Sequence, residues 1–134
     1  MKLKIIIEQL GGNLDIELKQ NGSRWHLIVI ASVSPFWSKT GNVWNGTTDD
    51  IQKISELSAL VKQCHEQPFQ SKRITINDGV MTKIMFDDGN TTIQLLLKDI
   101  EQGTTESLLL QKVFQLARET VPKVDVILEN FYLP

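Results

Sequence analysis

Cysteine is nearly missing: Cys64 is the only one among 134 residues. One thiol cannot close an internal disulfide, nor build a multi-cysteine zinc or iron–sulfur site. Long apolar runs are missing as well. The run at Ile5-Ile6-Ile7 stops at Glu8, too short for a signal peptide, and nothing reaches the roughly 18–20 apolar residues that span a bilayer. A reducing, cytoplasmic setting is the expectation. Excess charge is missing too. Fourteen basic and sixteen acidic side chains leave a formal charge of −2, and they are spread evenly along the chain. A nucleic-acid or anionic-membrane binder needs a basic footprint, so neither partner is expected. Phosphate-cradling glycine loops, calcium loops and metal-ligand spacings are likewise missing, so no cofactor and no metal is expected.

What is present is punctuation. With 41% hydrophobic and 22% charged residues, the composition suits one globular domain spanning 1–134. Gly11-Gly12, Asn21-Gly22, Asp78-Gly79 and Asp88-Gly89 each separate apolar, β-branched segments, a strong hairpin signal. Two-residue turns at the first two sites would set Ile7 opposite Ile16 and Leu18 opposite Trp25. They also put Leu3, Ile5, Ile7, Ile16, Leu18, Trp25, Leu27 and Val29 on one face. In the second half, a three-residue turn Asn77-Asp78-Gly79 sets Ile74 opposite Thr82, with a bulge at Gly79. A turn at Asp88-Gly89 sets Ile84 opposite Ile93. The second face is then Ile74, Ile76, Val80, Ile84, Phe86, Ile93, Leu95 and Leu97.

A helix follows each meander. Thr47-Thr48-Asp49-Asp50 reads as an N-cap, with Thr47 and Asp50 forming a loose capping box. Ile51, Ile54, Leu57, Val61 and Cys64 then recur at helical spacing until Pro68. Thr104 and Thr105 precede a second stripe of Leu108, Leu109, Val113, Leu116, Ala117 and Thr120, closed by Pro122. The segment from Lys123 to Pro134 fits either helix or strand periodicity, and a short third helix is the preferred reading. The order β-β-β-α-β-β-β-α predicts an α+β two-layer sandwich: an antiparallel sheet of about six strands with two or three helices on one face. Gly12 to Gly79 and Gly22 to Gly89 are each offset by 67 residues. An internal duplication explains this, and so does the recurrence of turns in any meander.

Candidate chemistry is thin. The predicted register places His26 opposite Glu17, half of a base–carboxylate arrangement, but an ordinary cross-strand pair is the preferred explanation, because no nucleophile is placed beside them. Cys64 and His65 are adjacent, yet neighbours on a helix point about 100° apart, and a cysteine on an apolar stripe is usually a small buried hydrophobe. Asp49-Asp50 and Asp87-Asp88 have sufficient reasons in a helix start and a turn. No catalytic residue is assigned, and an enzyme using His26 and Glu17 is the least favoured reading.

The least ordinary segment is 34–46, read as a long loop holding Phe36, Trp37, Lys39 and Trp44. Long loops in compact domains often carry function, and tryptophan is enriched at binding hot spots. The alternative is that these rings fold back and close the core. The leading functional expectation is a small protein–protein interaction module of immunity, adaptor or chaperone type. It would act through Phe36, Trp37, Lys39 and Trp44 or through a sheet face or edge, on another protein or a second copy of itself. The alternative is a carrier of a small apolar ligand, with loop 34–46 as its lid.

Overall fold

A computed structural model describes residues 1–9, 11–33, 42–66, 80–129 and 131. The chain runs β1 (Lys2–Gln9), β2 (Gly12–Asn21), β3 (Arg24–Val33), β4 (Asn42–Thr48), α1 (Ile51–Glu66), β5 (Met81–Asp87), β6 (Thr92–Lys98), α2 (Thr105–Thr120), a 3₁₀ turn (Pro122–Val124) and α3 (Asp125–Leu128). The six strands form one antiparallel sheet in the order β4-β3-β2-β1-β5-β6. This is the expected α+β two-layer arrangement. The described strands divide four before α1 and two after it, not three and three. None of the described helices is long and apolar enough to cross a membrane.

Alternation decides which face is core. Leu3, Ile5, Ile7, Leu14, Ile16, Leu18, Leu27, Val29, Ile84, Phe86, Ile93 and Leu97 all point to one side and are buried. The helices cover that side with Ile54, Leu57, Val61 and Cys64 from α1 and Leu109, Leu110, Val113, Phe114, Leu116 and Ala117 from α2. Within α2 the stripe rotates from the expected one. Leu108 is exposed, and Leu110 and Phe114 are buried in its place. The third helix is present, and Val124, Leu128 and Phe131 extend the core under it.

Three hairpin registers differ from expectation, each by two residues. Ile7 lies opposite Leu14 and Ile5 opposite Ile16, with Gln9 opposite Gly12. Leu18 lies opposite Leu27, with Asn21 opposite Arg24. Ile84 lies opposite Leu95, with Asp87 opposite Thr92. Because side chains alternate with period two, a two-residue shift moves every partner and no face. The turn Asn77-Asp78-Gly79, the bulge at Gly79 and the strand through Ile74 and Ile76 lie outside the described residues. Thr82, expected opposite Ile74, has Ile7 on one side and Leu97 on the other.

Segment 34–46 is not wholly a loop, since residues 42–48 are β4, paired along their whole length with β3. Gly46 explains how α2 can lie against this strand. A Cβ there would stand 2.9 Å from Val121 Cγ2 and 3.0 Å from the Thr120 carbonyl oxygen, closer than side chains tolerate. The start of α1 is capped by Asp50, whose carboxylate accepts the Lys53 N–H at 3.1 Å, while the Thr48 hydroxyl accepts the Asp50 N–H at 3.2 Å. This replaces the capping box between Thr47 and Asp50. At α2 the Thr104 hydroxyl accepts the Ser107 N–H at 3.2 Å, as expected of an N-cap.

Candidate functional site

The sheet face turned away from the helices is built in rows. One row crosses Val43, Ile30, Asp15, Ile6, Lys83 and Leu96; the next crosses Asn45, Ile28, Glu17, Lys4, Met85 and Gln94; a third crosses Thr47, His26, Lys19, Lys2, Asp87 and Thr92. Charge is concentrated in the middle of this face. Lys4 pairs with Asp15 at 3.4 Å and Lys2 with Glu17 at 3.9 Å, diagonally across β1 and β2. Asp15 lies between Ile30 and Ile6, and partial burial raises its carboxyl above the ordinary value against the pull of Lys4.

The β3–β4 end is different. Between Trp25 and Val33, and between Asn42 and Thr48, there is no Asp, Glu, Lys or Arg. Leu27-Ile28-Val29-Ile30-Ala31 is apolar without interruption, so β3 presents apolar side chains to both faces. Such a run belongs to strands covered on both sides. Yet Ile30 is 42% and Val43 58% exposed, side by side on the open face. Among the described residues β4 pairs with β3 alone, so alternate N–H and C=O groups of β4 face outward. Edge strands ordinarily carry lysine, proline or a bulge that blocks further pairing. Residues 42–48 carry none, and their register with β3 is unbroken.

Of the four sequence-predicted site residues, the structure describes one. Phe36, Trp37 and Lys39 lie outside the described residues. Trp44 sits on β4 opposite Val29, half-buried and packed against the core, so its ring serves the helix-covered side of the sheet. Ile28, Ile30 and Val43 are not among the sequence-predicted candidates. Their signal was parity: each is apolar at a position of alternation that should be polar.

The other candidates separate. His26 lies opposite Lys19 and Thr47, and Glu17 lies opposite Ile28. Two residues of register therefore remove the expected pair, leaving them diagonal neighbours. Cys64 is buried, and desolvation, with the negative charge of Glu106 as a lesser cause, pushes its thiol up to about 12. At neutral pH it is a thiol rather than a nucleophilic thiolate. His65 is exposed at the end of α1. Asp87 and Asp88 fold the β5–β6 turn: Asp87 accepts the Gly89 N–H at 2.8 Å, and Asp88 those of Asn90 at 2.9 Å and Thr91 at 2.7 Å. No group of three metal-ligating side chains occurs among the described residues.

Between sheet and helices, the void lined by Leu3, Ile5, Ile16, Leu18, Leu27, Leu57, Val113 and Leu116 measures about 10 Å³, the space of about one water. A groove of about 40 Å³ runs between α1 and α2, lined by Lys53, Glu56, Leu57, Lys112, Gln115 and Leu116. Lys53 bridges it to Glu119, and Lys112 reaches Glu56 at 3.8 Å. No family model, curated protein or solved structure matches the chain.

Proposed function

We propose that the chain is a small protein–protein interaction module whose binding surface is the uncharged β3–β4 end of its open sheet face. One observation carries this reading: β3 is apolar on both faces while, among the described residues, only one of them is covered. A partner that covers Ile28, Ile30 and Val43, or adds a strand beside β4, completes a burial pattern already written into the strand. Strand addition draws affinity from main-chain hydrogen bonds, and alternate side chains supply selectivity. A single buried cysteine suits work in a reducing, cytoplasmic compartment. The apolar-ligand carrier has less support: the described void under the sheet, lined by Leu3, Ile5 and Leu57 among others, holds about one water. Acid–base catalysis by His26 and Glu17 has less still, since they do not face each other.

Photo-crosslinking in the producing cell tests the reading. A photoreactive side chain at position 43 should give discrete protein adducts, and one at Gln52 on α1, exposed on the helical layer, should not. Adducts confined to position 52 contradict it.

A further inference from the structure

Resting on that reading, we infer that the partner at the β4 edge is a second copy of this chain, paired antiparallel through β4 about a two-fold axis at Asn45. Both sheets then join into one of twelve strands.

Strand β4 reads Asn42-Val43-Trp44-Asn45-Gly46-Thr47-Thr48 and complements itself. Residues opposite each other in an antiparallel pair share a face. Centring on Asn45 therefore sets Val43 against Thr47 of the second copy, Asn45 against itself, and Trp44 against Gly46. On the open face a β-branched pair flanks a polar one, and two side-chain amides at the axis can hydrogen-bond to each other. On the helix-covered face the bulkiest residue of the strand meets the one with no side chain. Above that glycine lies the Val121 methyl that already fills its Cβ position, an apolar surface for the indole. No like charges meet, because the strand has none.

The opposite edge offers a weaker match. Self-pairing of β6 about Leu95 would set the leucine against itself, and would bring Lys98 against Thr92 and Gln94 against Leu96. Two-fold pairing is also the commonest way for identical chains to close without leaving a growing edge. Here it removes the one edge among the described strands that lacks charge, proline and bulge.

Sedimentation of the intact chain over a concentration series tests the inference. Wild type is expected to approach twice 15.2 kDa as concentration rises. The triple variant Val43→Lys, Asn45→Lys, Thr47→Lys sets lysines against lysines along the seam and should stay at the monomer mass, as should the matching triple glutamate variant. An equimolar mixture of the two should recover the doubled mass. As a check independent of multiple substitution, Asn45→Cys should oxidise to a covalent dimer under mild oxidant, and Gln94→Cys on β6 should not.

Wild type that remains monomeric, with Asn45→Cys no faster to cross-link than Gln94→Cys, overturns the inference. So does a dimer that survives the triple lysine substitution. If position 43 then gives photo-adducts with a different protein, the interaction reading stands and only self-pairing falls. If it gives none, both fall.

Discussion

The two ends of the sheet handle the same problem, an open strand edge, in opposite ways. The β5–β6 end is charged and tied down. Asp88 gathers two backbone N–H groups in the turn and takes Lys62 of α1 at 3.0 Å; Lys83 and Lys98 stand on its open face. The β3–β4 end carries no formal charge between Trp25 and Val33 or between Asn42 and Thr48, and leaves Ile30 and Val43 in water. A monomer at risk of edge-to-edge pairing would place its charges on the outer strand. This chain spends them on β1 and β2, whose backbones are already fully paired. Charge at the centre and none at one edge is the contrast on which the proposed docking at β4 rests.

Beneath both ends the core is equally closed to solvent, and there the comparison should vanish. Leu27 on β3 and Ile84 on β5 are both essentially inaccessible, so Leu27→Ala and Ile84→Ala should each cost about 2–5 kcal/mol in urea unfolding. A markedly smaller cost for Leu27 would mean the β3–β4 end is loosely packed as well as uncharged. Gly46→Ala comes next. Its new methyl meets Val121 and the Thr120 carbonyl, and overpacking of this kind costs about 1–3 kcal/mol, read from the thermal midpoint.

The third contrast concerns pH. Bonds from the Asn90 N–H, the Lys62 ammonium and the Thr91 N–H, in that order, hold the Asp88 carboxyl at about 2 against an ordinary 3.8. A folded-state value below the unfolded one stabilises above 3.8 and is lost as pH falls toward 2. Urea midpoints taken from pH 5 to pH 2 should therefore drop in wild type and drop less steeply in Asp88→Asn. An unchanged slope would remove Asp88 as the anchor of the β5–β6 end. The smallest effect on stability is the most discriminating. Val43→Lys and Leu96→Lys replace exposed side chains on opposite edges and should each shift stability within about 0.5 kcal/mol. Only Val43→Lys should weaken association.

Much of this fold is legible in the residues, because faces depend on parity and parity is robust. Registers are less legible. Dipeptides such as Asn21-Gly22 announce a turn without saying which turn position the glycine takes. Here Gly22 has φ +66° with Asn21 still paired to Arg24, and Asp87-to-Thr92 encloses four residues where two were expected. The cost of that ambiguity is local but real: it dissolved the His26–Glu17 pair. Strand β4 was hidden because Asn42, Asn45 and Gly46 read as loop residues. A thirteen-residue connection inside a compact domain was the available warning. The apolar side of β3 on the open face is in plain view as an unbroken hydrophobic run, and only the exposure of Ile30 and Val43 shows that no described residue covers this side fully.

Hydrogen exchange of the β4 amides at two protein concentrations tests the central claim most directly. Protection across residues 42–48 should rise with concentration while that of β6 stays constant. Equal exchange of β4 at both concentrations, or a rise confined to β6, contradicts the account.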